Sequence, residues 1–154
     1  MATKSKDTSN DEIRLGLLPG LLGYQLRLAQ IALFEDFSDS LGKHAITPGL
    51  FGVLVIIEAN PGLKQNDLAR ATHLDRSTVV SVIDNLERRN LVQRRPALND
   101  RRSNSLWLTE DGTVLLRKLK RLVAAHEKRL VAGMTGEERD TLVRLLGKIL
   151  SGSR

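Results

Sequence analysis

Cysteine is absent from the 154 residues, which removes disulfides, thiolate zinc sites and cysteine-based redox sensing together. No apolar run approaches the roughly 18 residues that a membrane span needs. The polar first ten residues, rich in Ser, Thr and Lys, carry no apolar stretch of the kind a secretory signal requires. A cytoplasmic protein without a membrane partner is the expectation. Histidine is sparse too: His44, His73 and His126 stand far apart, with no ligand-like spacing among them. No nucleophile, base or metal-ligand set converges anywhere, so neither an enzyme, a metal site nor a cofactor is expected.

What is present is a core and an uneven charge. Apolar residues make up 41% of the chain, enough for one domain. The net charge of +6 is concentrated beyond the first third. Residues 1–60 hold five basic and seven acidic side chains, residues 61–108 nine and five, and residues 109–154 ten and six. Six arginines fall within 88–102: Arg88, Arg89, Arg94, Arg95, Arg101 and Arg102. A basic cluster suits a polyanion, although a solvated face balanced by local acids suits it as well.

Periodicity places the elements. From 17 to 41 apolar residues recur at helical spacing through Leu18, Leu22, Leu26, Ala29, Leu33 and Phe37, with a second stripe through Leu17, Leu21, Tyr24, Leu28 and Ile31. A helix apolar on two faces needs two covers, and in a small chain a second subunit can supply one of them. Thr47-Pro48 opens the next helix as N-cap and first helical residue, and Asn60-Pro61-Gly62 ends it. Two short helices follow, at 65–72 and 75–90. The second has Asp75 as its N-cap, with Val79, Val82, Ile83 and Leu86 turned inward. Alternation then takes over in two strands, 91–95 and 105–108, on either side of a nine-residue polar loop. Thr109 and Thr135 cap two final helices, the last with an apolar stripe of Leu142, Leu145, Leu146, Ile149 and Leu150.

A helix-turn-helix followed at once by a basic-tipped hairpin is a winged-helix arrangement. The second helix of the pair can enter a major groove about 12 Å wide, where each base pair shows a distinct pattern of donors and acceptors. A hairpin tip can reach the flanking minor groove, whose negative potential attracts arginine. The polar, short-chained face of that helix, with Arg76, Ser77, Val80, Ser81, Asp84 and Asn85, suits close approach to base edges. Mainly α with a small β-hairpin wing, and a dimerisation region built from the terminal helices, is therefore the expected fold class.

The segments Leu68-Ala69-Arg70, Asp75-Arg76-Ser77-Thr78-Val79 and Leu86-Glu87-Arg88-Arg89-Asn90-Leu91-Val92 resemble, in order and spacing, the helix-turn-helix of the MarR family of transcriptional regulators. Asn99-Asp100-Arg101-Arg102-Ser103 and Leu108-Thr109-Glu110-Asp111-Gly112 resemble that family's wing and the start of its next helix. The likeness runs from about residue 17 to 150. It implies an N-terminal arm (1–12), a dimerisation helix (13–46), a winged helix-turn-helix domain (47–108) and C-terminal dimerisation helices (109–154). It implies that Arg102, with Arg101, probes the minor groove while Asp100 braces the wing. Arg76, Ser77, Thr78 and Ser81 would face DNA from the recognition helix, and Val80 a thymine methyl. Lys64, Gln65 and Arg94 would meet the backbone. Lys64 departs from the Thr or Ser that often caps the first helix of the pair, and Ser81 from a longer, often basic residue.

Other residues have blander readings. Arg88 and Arg89 suit ion pairs with Asp84 and Glu87 as well as phosphate. Trp107 suits the core beneath the wing, His126 a packed position on its helix, and Tyr24 the core. The family likeness further implies a repressor, dimeric on pseudo-palindromic double-stranded DNA, released by a small-molecule effector. An aromatic acid or its coenzyme A thioester is the preferred class, bound near Tyr24, Arg27, His44 and Phe51. The rival reading is a ligand-independent architectural or virulence-type DNA-binding dimer.

Overall fold

The computed structural model describes residues 13–97 and 100–152, with side chains outside the description from 97 to 103. The helices are α1 (Leu22–Leu41), α2 (Pro48–Ala59), α3 (Gln65–Thr72), α4 (Arg76–Arg88), α5 (Glu110–Leu130) and α6 (Gly136–Gly152). The strands are β1 (Leu63–Lys64), β2 (Val92–Ala97) and β3 (Asp100–Leu108). The chain divides into two units, Met1–Ala32 and Leu33–Arg154, and α1 begins in the first and ends in the second. Among the described residues no single helix is long and apolar enough to cross a membrane.

In the first unit the helix starts later than the periodicity indicates. Pro19 lies in a 3-10 turn, Leu18–Gly20, and α1 proper opens at Leu22. Proline lacks the N–H that a helix interior needs, so the apolar stripe runs through a turn before it runs along a helix. Gln25 folds back to donate from its amide nitrogen to the Pro19 carbonyl at 2.7 Å. Leu17, Leu18, Leu21, Leu22, Leu26, Leu28 and Ile31 are all exposed, and Tyr24 is half-buried.

The second unit holds the core. Phe37 and Leu41 from the end of α1, Val53, Leu54 and Ile57 from α2, Leu68 from α3, and Val79, Ile83 and Leu86 from α4 meet Leu106 of β3 and Leu116 and Leu119 of α5. Each such apolar side chain contributes about 1.5–3 kcal/mol by leaving water. Val82, expected inside, is half-buried. Three N-caps form where the sequence places them. Thr47 accepts from the Leu50 N–H at 3.2 Å, Asp75 from Thr78 at 2.8 Å, and Thr109 from Gly112 at 2.9 Å. At α6, Thr135 and Glu138 bond reciprocally, side chain to backbone in both directions, as a capping box.

His126 is packed, as expected, at 2% exposure, with its ring edge-on to Phe37 at 5.5 Å. Its Nδ1 pairs with the Asp36 carboxylate, which also accepts from Arg129 at 3.1 Å. The hydrogen bonds from His126 and Arg129 hold Asp36 below the usual carboxylate range. A second pair, Lys120 with Glu58, ties α5 to α2.

The wing corrects the expected hairpin. The sequence suggests two four- to five-residue strands around a nine-residue loop, whereas β2 and β3 extend through most of that loop. Their antiparallel register pairs Val92 with Leu108, Arg94 with Leu106 and Pro96 with Asn104, then shifts between Pro96 and Ala97. Backbone pairing decides how far a strand runs, so polarity alone does not mark a loop. Strand β1 has no counterpart among the expected elements. Two residues carry no period, and Leu63 and Lys64 become a strand only because Leu106 and Ser105 lie opposite.

Gly112 shows how closely the wing and α5 are joined. A Cβ there would sit 2.0 Å from the Leu91 carbonyl oxygen. That same carbonyl accepts the Thr109 N–H at 3.1 Å. Only a hydrogen side chain lets the first turn of α5 pass the base of β2.

Candidate nucleic-acid interface

The arrangement expected to face DNA is built from α3, the turn, α4 and the wing. α3 starts at Gln65, and its cap residue Lys64 makes no side-chain cap hydrogen bond, as its side chain dictates. The helix closes at His73 in the left-handed region (φ 55°). Leu74 and Asp75 then turn the chain into α4. Asp75 gathers three donors: the Ser77 hydroxyl, the Thr78 hydroxyl at 2.6 Å and the Thr78 N–H. The Ser77 hydroxyl first, then Thr78, hold its carboxyl far below the ordinary aspartate value.

One face of α4 is buried through Val79, Ile83 and Leu86, and the opposite face carries Arg76, Ser77, Val80 and Ser81, all exposed. Thr78 is half-buried. The Ser81 hydroxyl donates to the Ser77 carbonyl at 3.1 Å, which keeps the side chain short against its own helix. This face is low, with donors and acceptors close to the helix surface and one methyl-bearing side chain at Val80. That profile fits base edges in a major groove.

The arginines divide by partner. Arg88 donates from Nε to the Asp84 carbonyl at 3.3 Å. Arg89 pairs with neither Asp84 nor Glu87, the acids its sequence neighbourhood offers. It reaches the carbonyls of Ala45 at 2.9 Å and His44 at 2.7 Å, pinning the end of α4 to the 3-10 turn Gly42–His44 ahead of α2. A link across 44 residues leaves no local signal to read. Arg95 stacks its guanidinium 4.9 Å from the centre of the Trp107 ring. Trp107 is half-buried, its ring also closing over Gly62 and its N–H donating to Ser105. It is therefore a platform at the foot of the wing more than an interior residue. Arg94 is drawn into the carboxylates of α4: Nη2 to Asp84 at 2.6 Å, Nη1 to Glu87, and Nε to Gln65 at 3.2 Å. Asp100, Arg101 and Arg102 belong to the start of β3 by backbone, and their side chains lie outside the described residues.

The residues expected near an effector fall in both units. Tyr24 and the exposed Arg27 lie on α1 in the first. In the second, Phe51 packs on Phe37 with ring centres 6.5 Å apart. His44 has a buried Nε2 with no protein partner. Burial first, then the charges of Lys118 and Lys43, lower its pKa. Among the described residues no group of three or more acidic or imidazole side chains is placed to hold a metal ion.

A recognition helix with a short polar face, a supporting helix before it and an antiparallel wing after it define a winged-helix DNA-binding protein. Residues 46–103 match the profile described as the MarR family. The "Putative transcriptional regulatory protein for hcr operon" of Thauera aromatica is 36% identical over 149 residues, 95% of this chain and 90% of that protein. The transcriptional repressor CouR bound to a 23-mer DNA duplex superimposes with a TM-score of 0.86 at 39% identity, over 90% of this chain and 99% of that one. CouR bound to p-coumaroyl-CoA gives 0.83 at 38% identity, over 90% and 98%. The chain belongs to the MarR family, and it is a DNA-binding transcriptional regulator of that type.

Proposed function

We propose that this regulator is a homodimeric repressor that holds a pseudo-palindromic operator and releases it when an aromatic acid, or the coenzyme A thioester of one, binds. The observation that carries the reading is the likeness to one repressor in two states, CouR on DNA and CouR on p-coumaroyl-CoA, over nine-tenths of this chain. In this reading Arg76, Ser77, Thr78, Val80 and Ser81 read base edges. Lys64 and Gln65 meet phosphate, and Arg102 with Arg101 enters the minor groove beside Asp100. Residues 13–46 and 109–154 supply the dimer. The exposed leucines of α1, with Leu142, Val143 and Leu145 exposed on α6, support that role. His44 and Phe51 of the second unit contact the effector in this reading, and Tyr24 and Arg27 of the first unit are separate candidates for the same role. The unpaired Nε2 of His44, an imidazole whose pKa is lowered by burial first and then by the charges of Lys118 and Lys43, leaves a polar atom that an effector can meet.

The test uses a duplex that the protein itself selects from a randomised library. Footprinting on it is expected to show two symmetric half-sites, and p-coumaroyl-CoA or an aromatic acid from a panel is expected to release the protein saturably. If no member of the panel changes either DNA affinity or thermal midpoint, the ligand-independent architectural reading replaces this one.

A further inference from the structure

We infer that Arg94 serves DNA binding as a positioning residue that masks Asp84 and Glu87, and that its guanidinium does not itself contact phosphate. Ser81, Asp84, Glu87 and Arg88 line one open groove on the surface of α4, so both carboxylates border the reading face. Bare, they would repel a polyanion carrying one charge per roughly 1.7 Å of duplex axis.

Arg94 comes to them from β2. Each of its guanidinium nitrogens is engaged: Nη2 on Asp84 at 2.6 Å, Nη1 on Glu87, Nε on the Gln65 side chain at 3.2 Å. Its backbone N–H donates to the other Glu87 oxygen at 3.0 Å. The side chain is 19% exposed, against 52% for Asp84 and 38% for Glu87. The cation is thus the most withdrawn member of the cluster, and its charge is already matched by two acids. Ion pairs whose acids stay partly in solvent add only modest stability. Their consequence here is geometric and electrostatic: one residue ties the N-terminus of α3, the C-terminal half of α4 and the first half of the wing, and its single positive charge halves the negative charge of the pair of carboxylates on the DNA side.

The inference rests on the DNA-binding reading, and wild-type binding to the selected duplex tests that separately. The variants are Arg94→Met and the triple variant Arg94→Met/Asp84→Asn/Glu87→Gln. Glu87→Gln keeps an acceptor for the backbone N–H of residue 94, and the triple variant leaves no unpaired carboxylate, so it is expected to fold where the single one does not. The readouts are affinity, its salt dependence and the thermal midpoint. Arg94→Met is expected to weaken binding at least tenfold with an undiminished salt slope, and the triple variant to return within about fivefold of wild type. Failure of the triple variant to recover would overturn the mask. So would a slope reduced by about 0.9 per subunit in either variant, the signature of a lost phosphate contact.

Discussion

Asp75 links stability to pH through a single side chain. Its folded pKa is depressed by Ser77 and Thr78, so its contribution is complete above its unfolded value near 3.8 and disappears as pH falls below it. Asp75→Asn keeps an acceptor at the N-cap but cannot ionise. It is expected to lower the urea midpoint at pH 6, with the gap to wild type narrowing toward pH 3. Gly112 is constrained in a different way. With the Leu91 oxygen 2.0 Å from an added Cβ, Gly112→Ala forces backbone apart and is expected to cost about 1–3 kcal/mol in denaturant unfolding. Gly52, in mid-α2 with nothing within 4 Å of a Cβ, is the matched control, and Gly52→Ala should be neutral or stabilising by up to about 1 kcal/mol. Arg102 belongs to β3 by backbone, and in the proposed reading it meets DNA. Arg102→Ala should therefore weaken operator binding strongly while the thermal midpoint stays within error.

Elements are held by caps at their ends and by faces along their lengths, and α6 shows the difference. Its capping box sets where it begins, yet no residue along it is buried. Leu142 and Leu145 are more than 40% exposed, and a helix with an uncovered apolar face gains its stability from a partner surface. Leu142→Glu/Leu145→Glu is therefore expected to shift sedimentation from a dimer to a monomer and to abolish the symmetric footprint. A dimer that survives both substitutions would remove α6 from the interface. The wing is stabilised differently. Strand β3 pairs on both sides, and at its foot the Trp107 ring meets both Arg95 and Gly62.

For the whole molecule, two-fold symmetry and charge make separate predictions. A symmetric dimer presents two identical recognition helices, so the half-sites should be centred about 10 bp, or 34–36 Å, apart. If Lys64, Arg88 and the wing arginines of both subunits neutralise six to ten phosphates, affinity should drop on the order of 10³- to 10⁵-fold between 50 and 200 mM salt. Replacing Ser77 or Ser81 should change the preferred sequence and leave that slope alone, because serine neutralises no phosphate. An asymmetric footprint with a shallow slope contradicts the dimeric reader.

Local chemistry was legible in the chain. Thr47, Asp75 and Thr109 cap helices because a short oxygen-bearing side chain beside the first N–H groups finds them within three residues. The spacing of Val79, Ile83 and Leu86 turned α4 inward on one side and left its short polar face outward. These signals also carried the family and the candidate reading helix, since both depend on residues close together in sequence. Partners distant in sequence were a matter for the tertiary structure. Arg94 and Arg89 look alike among six arginines, yet one is matched by Asp84 and Glu87 and the other by carbonyls 44 and 45 residues away. Strand β1 exists only against Leu106, and Gly112 is required only because Leu91 passes beside it. A charge in a sequence has no partner until folding brings one within hydrogen-bonding distance, and a two-residue strand has no period until another strand lies beside it.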